Sequence, residues 1–340
     1  MKKNELVRII LAFLVIAVIT LVMREFRSSN ASVDDFPDRA ITASETLVDI
    51  SIADGSTGSQ IANQLFERGI IESSQSFFRL AVSDERAKRI APGIHQLNQK
   101  ISSKQALEQL LDSNRMPNLI RIIEGSWNVE IFEMLKKSGF SDSQINQAIR
   151  EVQLPPGFKS LEGLLFPAQY SFALGTTATQ ALQSMVFRFQ NEFSSLEIPD
   201  NLGFSSQELV IVASIIQAEG GRQDFSKVSA VIKNRLKIGM PLQMDSTIHY
   251  AQKMRGNIFL STRSTLLKSP FNTYKRYGLP PGPIGNPGLD AFKAAINPAT
   301  GNWLYFVTVS PGDTRFTSAI TEFNQWKALY IKNRKAGAFK

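Results

Sequence analysis

The stretch SSQELVIVASIIQAEGG, residues 205–221, decides how the second half of the chain is built. Its apolar centre, Leu209 to Ile216, is rich in Val and Ile and by propensity alone would suit a strand. Two signals at its borders favour a helix. Ser205 and Glu208 have the S-x-x-E spacing of a capping box, and Gly220–Gly221 stops a helix after Glu219. On a helix, Val212, Ile215 and Ile216 share a face with Glu219. The acid therefore falls on an apolar stripe, in the last turn, where the helix dipole is negative. Both placements disfavour the ionised form. A carboxylic acid that keeps its proton near neutral pH is what general-acid catalysis requires. Gly220 and Gly221 are expected to let a substrate approach the backbone closely. The alternative is a glutamate that fringes the helix end and points to water.

Downstream, FSKVSAVIKNRLKIG (225–239) predicts a second helix with Phe225, Val228, Val231, Ile232 and Leu236 as its stripe, Arg235 at the stripe's edge and Gly239 at its end. MPLQMDSTIHY (240–250) then concentrates Gln243, Asp245, Ser246, Thr247 and His249. The prolines and glycines of SPFNTYKRYGLPPGPIGNPG (269–288) fix a long loop in few conformations, and Asn272, Thr273 and Tyr274 offer hydrogen-bonding side chains along it. Such loops commonly shape clefts. NWLYFVTV (302–309) predicts a buried strand. Upstream, PPGFKSLEGLLFPAQYSF (155–172) suits a loop or groove wall, and a helix is expected from Ala178 to about Phe193.

The first part of the chain reads differently. Residues 9–23 form an uninterrupted uncharged apolar run, extended by Leu6 and Val7 if Arg8 snorkels. A spanning helix needs roughly 17–25 apolar residues, so the run suffices as an anchor. The charges directly behind it and the lack of an A-x-A site argue against a cleaved signal. Lys2, Lys3 and Arg8 place the N-terminus inside, leaving the remainder outside the cytoplasm. After a polar linker, LVDISI (47–52) alternates like a strand. The helix that follows is expected to be capped by Ser56, with Ile61, Leu65 and Phe66 on its apolar face. FFRLAVS and SSKQALEQLLDS predict helices, and PGIHQL a short strand between them. SIADGS (51–56) is echoed by RIIEGS (121–126), which suggests two strand–turn–helix units in which Asp54 and Glu124 serve the turns.

The 340-residue chain is 43% apolar and 20% charged, which excludes extended disorder. It has no cysteine, which excludes disulfides, thiolate metal sites and cysteine nucleophiles. Only His95 and His249 are present, so a multi-histidine zinc site is excluded and no metal is expected. A net charge of +8 suits an anionic partner such as a membrane surface or wall polymer. The absence of a Lys/Arg-rich tract argues against nucleic acid.

LEGLLFPAQY (161–170), ASIIQAEGG (213–221), VIKNRLKIGMPLQMDSTIHY (231–250), SPFNTYKRYGLPPGPIGNPG (269–288) and NPATGNWLYFV (297–307) together resemble the YceG-like endolytic murein transglycosylases. The resemblance reaches weakly into the N-terminal part. It implies an α+β protein divided into a cytoplasmic N-terminus (1–8), a transmembrane helix (9–23), a linker (24–45), a small LysM-like module (46–118) and a catalytic domain (119–340) in the cell membrane's outer space. It implies cleavage of MurNAc–GlcNAc β-1,4 bonds within nascent peptidoglycan glycan strands, with 1,6-anhydro-MurNAc ends, a limit on strand length, no cofactor, and cell-wall synthesis enzymes as partners. The family's catalytic glutamate falls on Glu219, and Gln243, Asp245, Asn272, Tyr274 and Arg235 become candidate sugar ligands. Arg235 could instead pair with an internal acid, and Asp245 could be a turn cap.

The sequence departs from the family pattern in three places. Gln217 stands where a second acid is usual. Thr314 and Phe323 stand where histidines are usual, and Ala168 and Gln169 replace Asp and Thr. The missing histidines motivate a rival reading, a membrane-anchored peptidoglycan-binding scaffold without turnover. A hydrolase would need water and a base carboxylate in place of the sugar's own hydroxyl. A third reading, a cytosolic pyridoxal-phosphate aminodeoxychorismate lyase, is opposed by the anchor.

Overall fold

The computed structural model describes residues 34–339, apart from 43, 54, 174, 256–259 and 262. The expected membrane helix, the start of the linker and Asp54 lie outside the described residues. Among the described residues no helix is long and apolar enough to cross a membrane. The chain forms two compact units that divide between Pro117 and Asn118, and the secondary structure is mixed α+β.

In the first unit, β1 (Leu47–Ile52), α1 (Gly58–Glu67), α2 (Ser74–Ser83), β2 (Gly93–Asn98) and α3 (Ser103–Leu111) follow in order. β1 and β2 pair antiparallel, with Leu47 opposite Asn98 and Ile52 opposite Gly93. The strand alternation turns Ile50 and Ile52 into a core with Ile61, Leu65, Phe77, Leu97 and Leu107. Two expectations are corrected. Thr57, not Ser56, caps α1, because only Thr57 has an amide side chain three residues on: it and Gln60 close a reciprocal capping box. Phe66 is 52% exposed, because Ile61, Ala62 and Leu65 already define the inward face.

The second unit contains β3 (Ile120–Arg121), α4 (Asn128–Lys137), α5 (Asp142–Glu151), β4 (Gln169–Tyr170), α6 (Ala178–Ser194), α7 (Ser206–Glu219), α8 (Phe225–Lys237), α9 (Asp245–Gln252), α10 (Leu289–Ile296), β5 (Tyr305–Ser310), β6 (Asp313–Thr317) and α11 (Ile320–Lys335). Its strands form two-stranded antiparallel ribbons, β3 with β4 and β5 with β6. Both echo segments are a strand, a turn and a helix, β1 to α1 and β3 to α4. Helix α7 is the centre of the unit. Ser205 and Glu208 close its capping box, and every residue from Leu209 to Ile216 is buried. The expected one-sided stripe is therefore corrected. From Leu209 to Ile216 the helix is buried all round, Ser214 included, and Glu219 sits where it leaves the core. The expected buried strand, β5, is half-buried with only Val309 fully inside, since a two-stranded ribbon covered by α11 keeps an open side.

Two irregular segments are fastened to α7. Ser214 Oγ accepts the amide of Ile284 at 3.1 Å, which docks the 269–288 loop on the helix. Asn286, wholly buried, accepts the amide of Leu165 at 2.8 Å and donates to Ser126 O and Asn128 Oδ1, each at 2.9 Å. One side chain thus ties together the long loop, the 161–168 segment and the turn before α4. Helix α7 and the 161–168 segment approach closely at Gly163, whose φ is +89°. A Cβ there would lie 2.6 Å from Val210 Cγ1 and 2.8 Å from Pro283 Cγ. Gly163→Ala is expected to destabilise the second unit by about 3 kcal/mol, combining left-handed strain with overpacking. A lowered urea midpoint checks this, and an unchanged midpoint would contradict the close approach.

Candidate active site

Glu219 is the last residue of α7, and the chain beyond it runs extended through Gly220 and Gly221. Neither glycine has a left-handed φ. A Cβ on Gly220 would lie 3.2 Å from Val228 Cγ2, so the close approach there is made by α8. The second residue of α9, Ser246, donates to Glu219 Oε1 from its backbone N at 2.9 Å and from Oγ at 2.6 Å. Glu219 thus sits at the C-terminal end of one helix and caps the N-terminal end of another. The residue keeps an open edge, while its carboxyl is densely surrounded. Burial is the main cause that pushes its pKa up to about 7; the Ser246 hydroxyl pulls it down, neighbouring Asp245 pushes it up, and Arg235 pulls it down.

Asp245, the first residue of α9, accepts a hydrogen bond from the Tyr274 hydroxyl. Burial and the Asp245 charge raise the phenol's pKa, so Tyr274 is the donor. Arg235 is 5% exposed. Its guanidinium donates to Leu304 O at 2.6 Å and to Leu242 O, and lies 5.5 Å from the centre of the Tyr305 ring. Among the described residues its partners are carbonyls and a ring, not a carboxylate, so in place of the expected ion pair the guanidinium is a charge held within the field of Glu219. Gln243 is exposed in a left-handed conformation, φ +51°, with its amide on Thr273 O at 3.1 Å.

Asn272 is fully buried and its amide is occupied at both ends. It donates to Thr265 O at 3.0 Å and Leu267 O at 2.8 Å, and accepts from Tyr274 N at 2.9 Å. It shapes the loop that presents Tyr274. Thr273 Oγ1 accepts the amide of Met244 at 3.0 Å and pairs with Thr247 Oγ1 at 2.9 Å, which fixes the start of α9. Of the six residues singled out, Glu219, Asp245, Tyr274 and Arg235 form one electrostatic group, Gln243 stands at its edge and Asn272 lies behind it. At the departures, Phe323 stacks on Tyr305 at 5.3 Å, backing the ring beside Arg235, and Thr314 Oγ1 pairs with Thr308 Oγ1 at 3.0 Å.

Three partners were not singled out as site residues. Ser246 stands beside Asp245 in sequence, but its link to Glu219 spans 27 positions. Glu162 accepts from Asn128 N at 3.1 Å and from the Tyr250 hydroxyl at 3.0 Å. Burial pushes its carboxyl up to about 7, against those two bonds and the charge of Arg255 and together with the repulsion of Glu130. The signal in the sequence was the same as for Glu219, a lone acid inside an apolar run.

The profile of the YceG-like family matches residues 50–328. The chain is 30% identical over 320 residues to an endolytic murein transglycosylase of Bacillus subtilis (strain 168), covering 86% of this chain and 87% of the relative. It is 33% identical over 181 residues to an endolytic murein transglycosylase of Streptococcus pneumoniae serotype 2 (strain D39 / NCTC 7466), covering 51% of this chain and 33% of that longer protein. In fold it is similar to a crystal structure of a YceG-like protein from Listeria monocytogenes, with a TM-score of 0.52 and 24% identity over 82% of this chain and 98% of the other.

The balance of forces at Glu219 gives opposite shifts for two neighbours. Ser246→Ala removes a bond to the charged form and is expected to raise the Glu219 midpoint. Asp245→Asn removes repulsion and is expected to lower it. Carboxyl ¹³C NMR titration, assigned with Glu219→Gln, checks both. A shift of the same sign in both variants would contradict the arrangement.

Proposed function

This chain belongs to the YceG-like family, and we infer that it is an endolytic murein transglycosylase, a lyase that cuts peptidoglycan glycan strands internally. The observation that carries the chemistry is the Glu219 carboxyl, pushed to about 7 by burial at the exit of a core helix and held by Ser246. A group with that midpoint is half protonated near neutral pH and exchanges its proton in both directions.

The reaction follows from that property. Protonated Glu219 donates to the glycosidic oxygen between MurNAc and GlcNAc, and the C1–O bond breaks through an oxocarbenium-like state. The resulting carboxylate accepts the proton of the MurNAc 6-hydroxyl as that oxygen bonds to C1. The glycan leaves with a 1,6-anhydro end, and Glu219 is again protonated. The nucleophile belongs to the substrate, so one carboxylic acid suffices. Asp245, oriented by Tyr274, adds negative charge beside the forming cation, and Arg235 favours the carboxylate of Glu219 at the second step. Gln243 and Tyr274 serve in this reading as sugar ligands, while Asn272 acts through the loop.

The wider arrangement belongs to the same reading. Residues 9–23 anchor the chain in the cell membrane with the catalytic domain outside, where cleavage limits the length of strands as wall synthesis enzymes extend them. The apolar run and its flanking charges support this. The order β1–α1–α2–β2, with the strands paired, supports a LysM-like glycan-binding module in the first unit.

Digestion of purified glycan strands followed by mass spectrometry is expected to give 1,6-anhydro-MurNAc ends, at a rate that falls as pH rises through 7. Glu219→Gln is expected to lose about 100- to 10,000-fold. Reducing ends without the anhydro bridge would make the chain a hydrolase, and binding without products would make it a scaffold.

A further inference from the structure

Helix α9 carries Asp245 and Ser246, and yet it is only eight residues long and has no side-chain cap of its own at Met244. A helix of two turns does not hold its place by propensity; it is held by what it touches. Thr273 fixes the turn at its start. Along the helix itself, two carboxyl groups grip it from other segments. Glu219 accepts from Ser246. Glu162 accepts from Tyr250, four residues on. Residues four apart lie on one face of a helix, roughly 6 Å along its axis. The two grips are therefore one turn apart on the same side.

The second grip is built to be rigid. The Tyr250 ring meets Trp127 edge-on at 5.4 Å and Phe271 at 5.1 Å, so its hydroxyl has one direction to point. Glu162 is set from the other side by the amide of Asn128, the first residue of α4. The charges that face Glu162 are Arg255 and Glu130, which pair with each other at 2.7 Å; Arg255 also lies 4.1 Å over the Trp127 ring. Among the described residues neither forms an ion pair with Glu162, and its hydrogen-bond donors are the Tyr250 hydroxyl and the backbone N–H of Asn128.

We propose that Glu162, through its hydrogen bond with Tyr250, is a positioning residue for the reaction: it seats α9 and so sets the two hydrogen bonds that Ser246 gives to Glu219. The inference rests on the reading of Glu219 as the acid. Loss of this strut leaves the last turn of α9 without a polar anchor, placed only by the packing of Ile248 and of the Tyr250 ring. With the tilt of α9 no longer set, the two Ser246 bonds to Glu219 lengthen, the charged form is held less well, and the acid keeps its proton to higher pH.

The test is a carboxyl ¹³C titration of Glu219 in the full chain, with the kcat–pH profile beside it. Tyr250→Phe, which removes one oxygen and keeps the ring, is expected to raise the Glu219 midpoint by about half a pH unit. It is also expected to lower kcat about tenfold with KM unchanged, as a small displacement at a reacting group does. Glu162→Ala is expected to do the same, and the double variant no more than either single one. Glu162→Gln keeps an acceptor for the hydroxyl and is expected to restore most of the rate. An unmoved Glu219 titration in a folded Tyr250→Phe protein overturns the proposal, as does a lower melting temperature with an unmoved titration, which marks the strut as structural only. If the wild type proves to lack turnover, the reading of the reaction falls, and the titration shift still decides whether the strut exists.

Discussion

A carboxyl group at the point where the buried centre of a helix leaves the core gives up its proton reluctantly, and the second unit is arranged around that constraint. Eight consecutive buried residues, Leu209 to Ile216, give α7 no solvent face until its last turn, where the carboxyl of Glu219 is still surrounded. The helix is enclosed by α8, α9 and α10 and by the loop that Ser214 holds at Ile284. Three of these segments then bring a specific group: Ser246 and Asp245 on α9, Arg235 on α8, Tyr274 from the loop. The site is a consequence of closing the core around α7.

The forces on Glu219 are opposed in pairs, and their magnitudes decide the outcome. The C-terminal dipole of α7 and the charge of Asp245 favour the acid; the N-terminal dipole of α9, the two Ser246 donors and Arg235 favour the carboxylate. One pKa unit corresponds to about 1.4 kcal/mol, the size of one or two hydrogen bonds. Desolvation is the largest of the forces and carries the sum toward the proton. A group in that balance both donates and accepts, and the proposed reaction asks both of the same oxygen pair. Either pair alone would fix the group in one state and stop the cycle halfway.

Much of this was legible in sequence because it was local. The capping box at Ser205, the stop at Gly220 and the lone acid before it are all read within seventeen positions. The same locality misled at two points. Periodicity placed Glu219 on one stripe, whereas Leu209 to Ile216 are buried on every side, and the local count of hydrogen-bonding groups at 272–274 made Asn272 a ligand candidate when its amide is spent on its own loop. What stayed hidden was pairing across distance. Glu162 meets Tyr250 across 88 positions, and Asn286 meets Leu165 across 121. No periodicity reports such bonds; only the unpaired look of an acid in LEGLLFP hinted that a partner was needed.

The neighbourhood of Gln217 shows why an amide suits this chain where the family pattern usually carries an acid. Gln217 Oε1 accepts the amide of Gly288 at 3.0 Å. Glu124 already lies against that glycine, so closely that a Cβ on Gly288 would meet Glu124 Oε1 at 2.3 Å. Asp290 stands two residues on, and Arg222 bridges both carboxylates, at 3.2 Å to Glu124 and 3.0 Å to Asp290. A single guanidinium therefore already serves two carboxylates. A third carboxylate at 217 would add uncompensated repulsion beside them and a like charge two residues from Glu219, pushing its proton on more firmly. With glutamine at 217 the backbone bond is kept and the charge is not added, so the titration of Glu219 stays governed by burial and by the groups that α8, α9 and the loop bring to it.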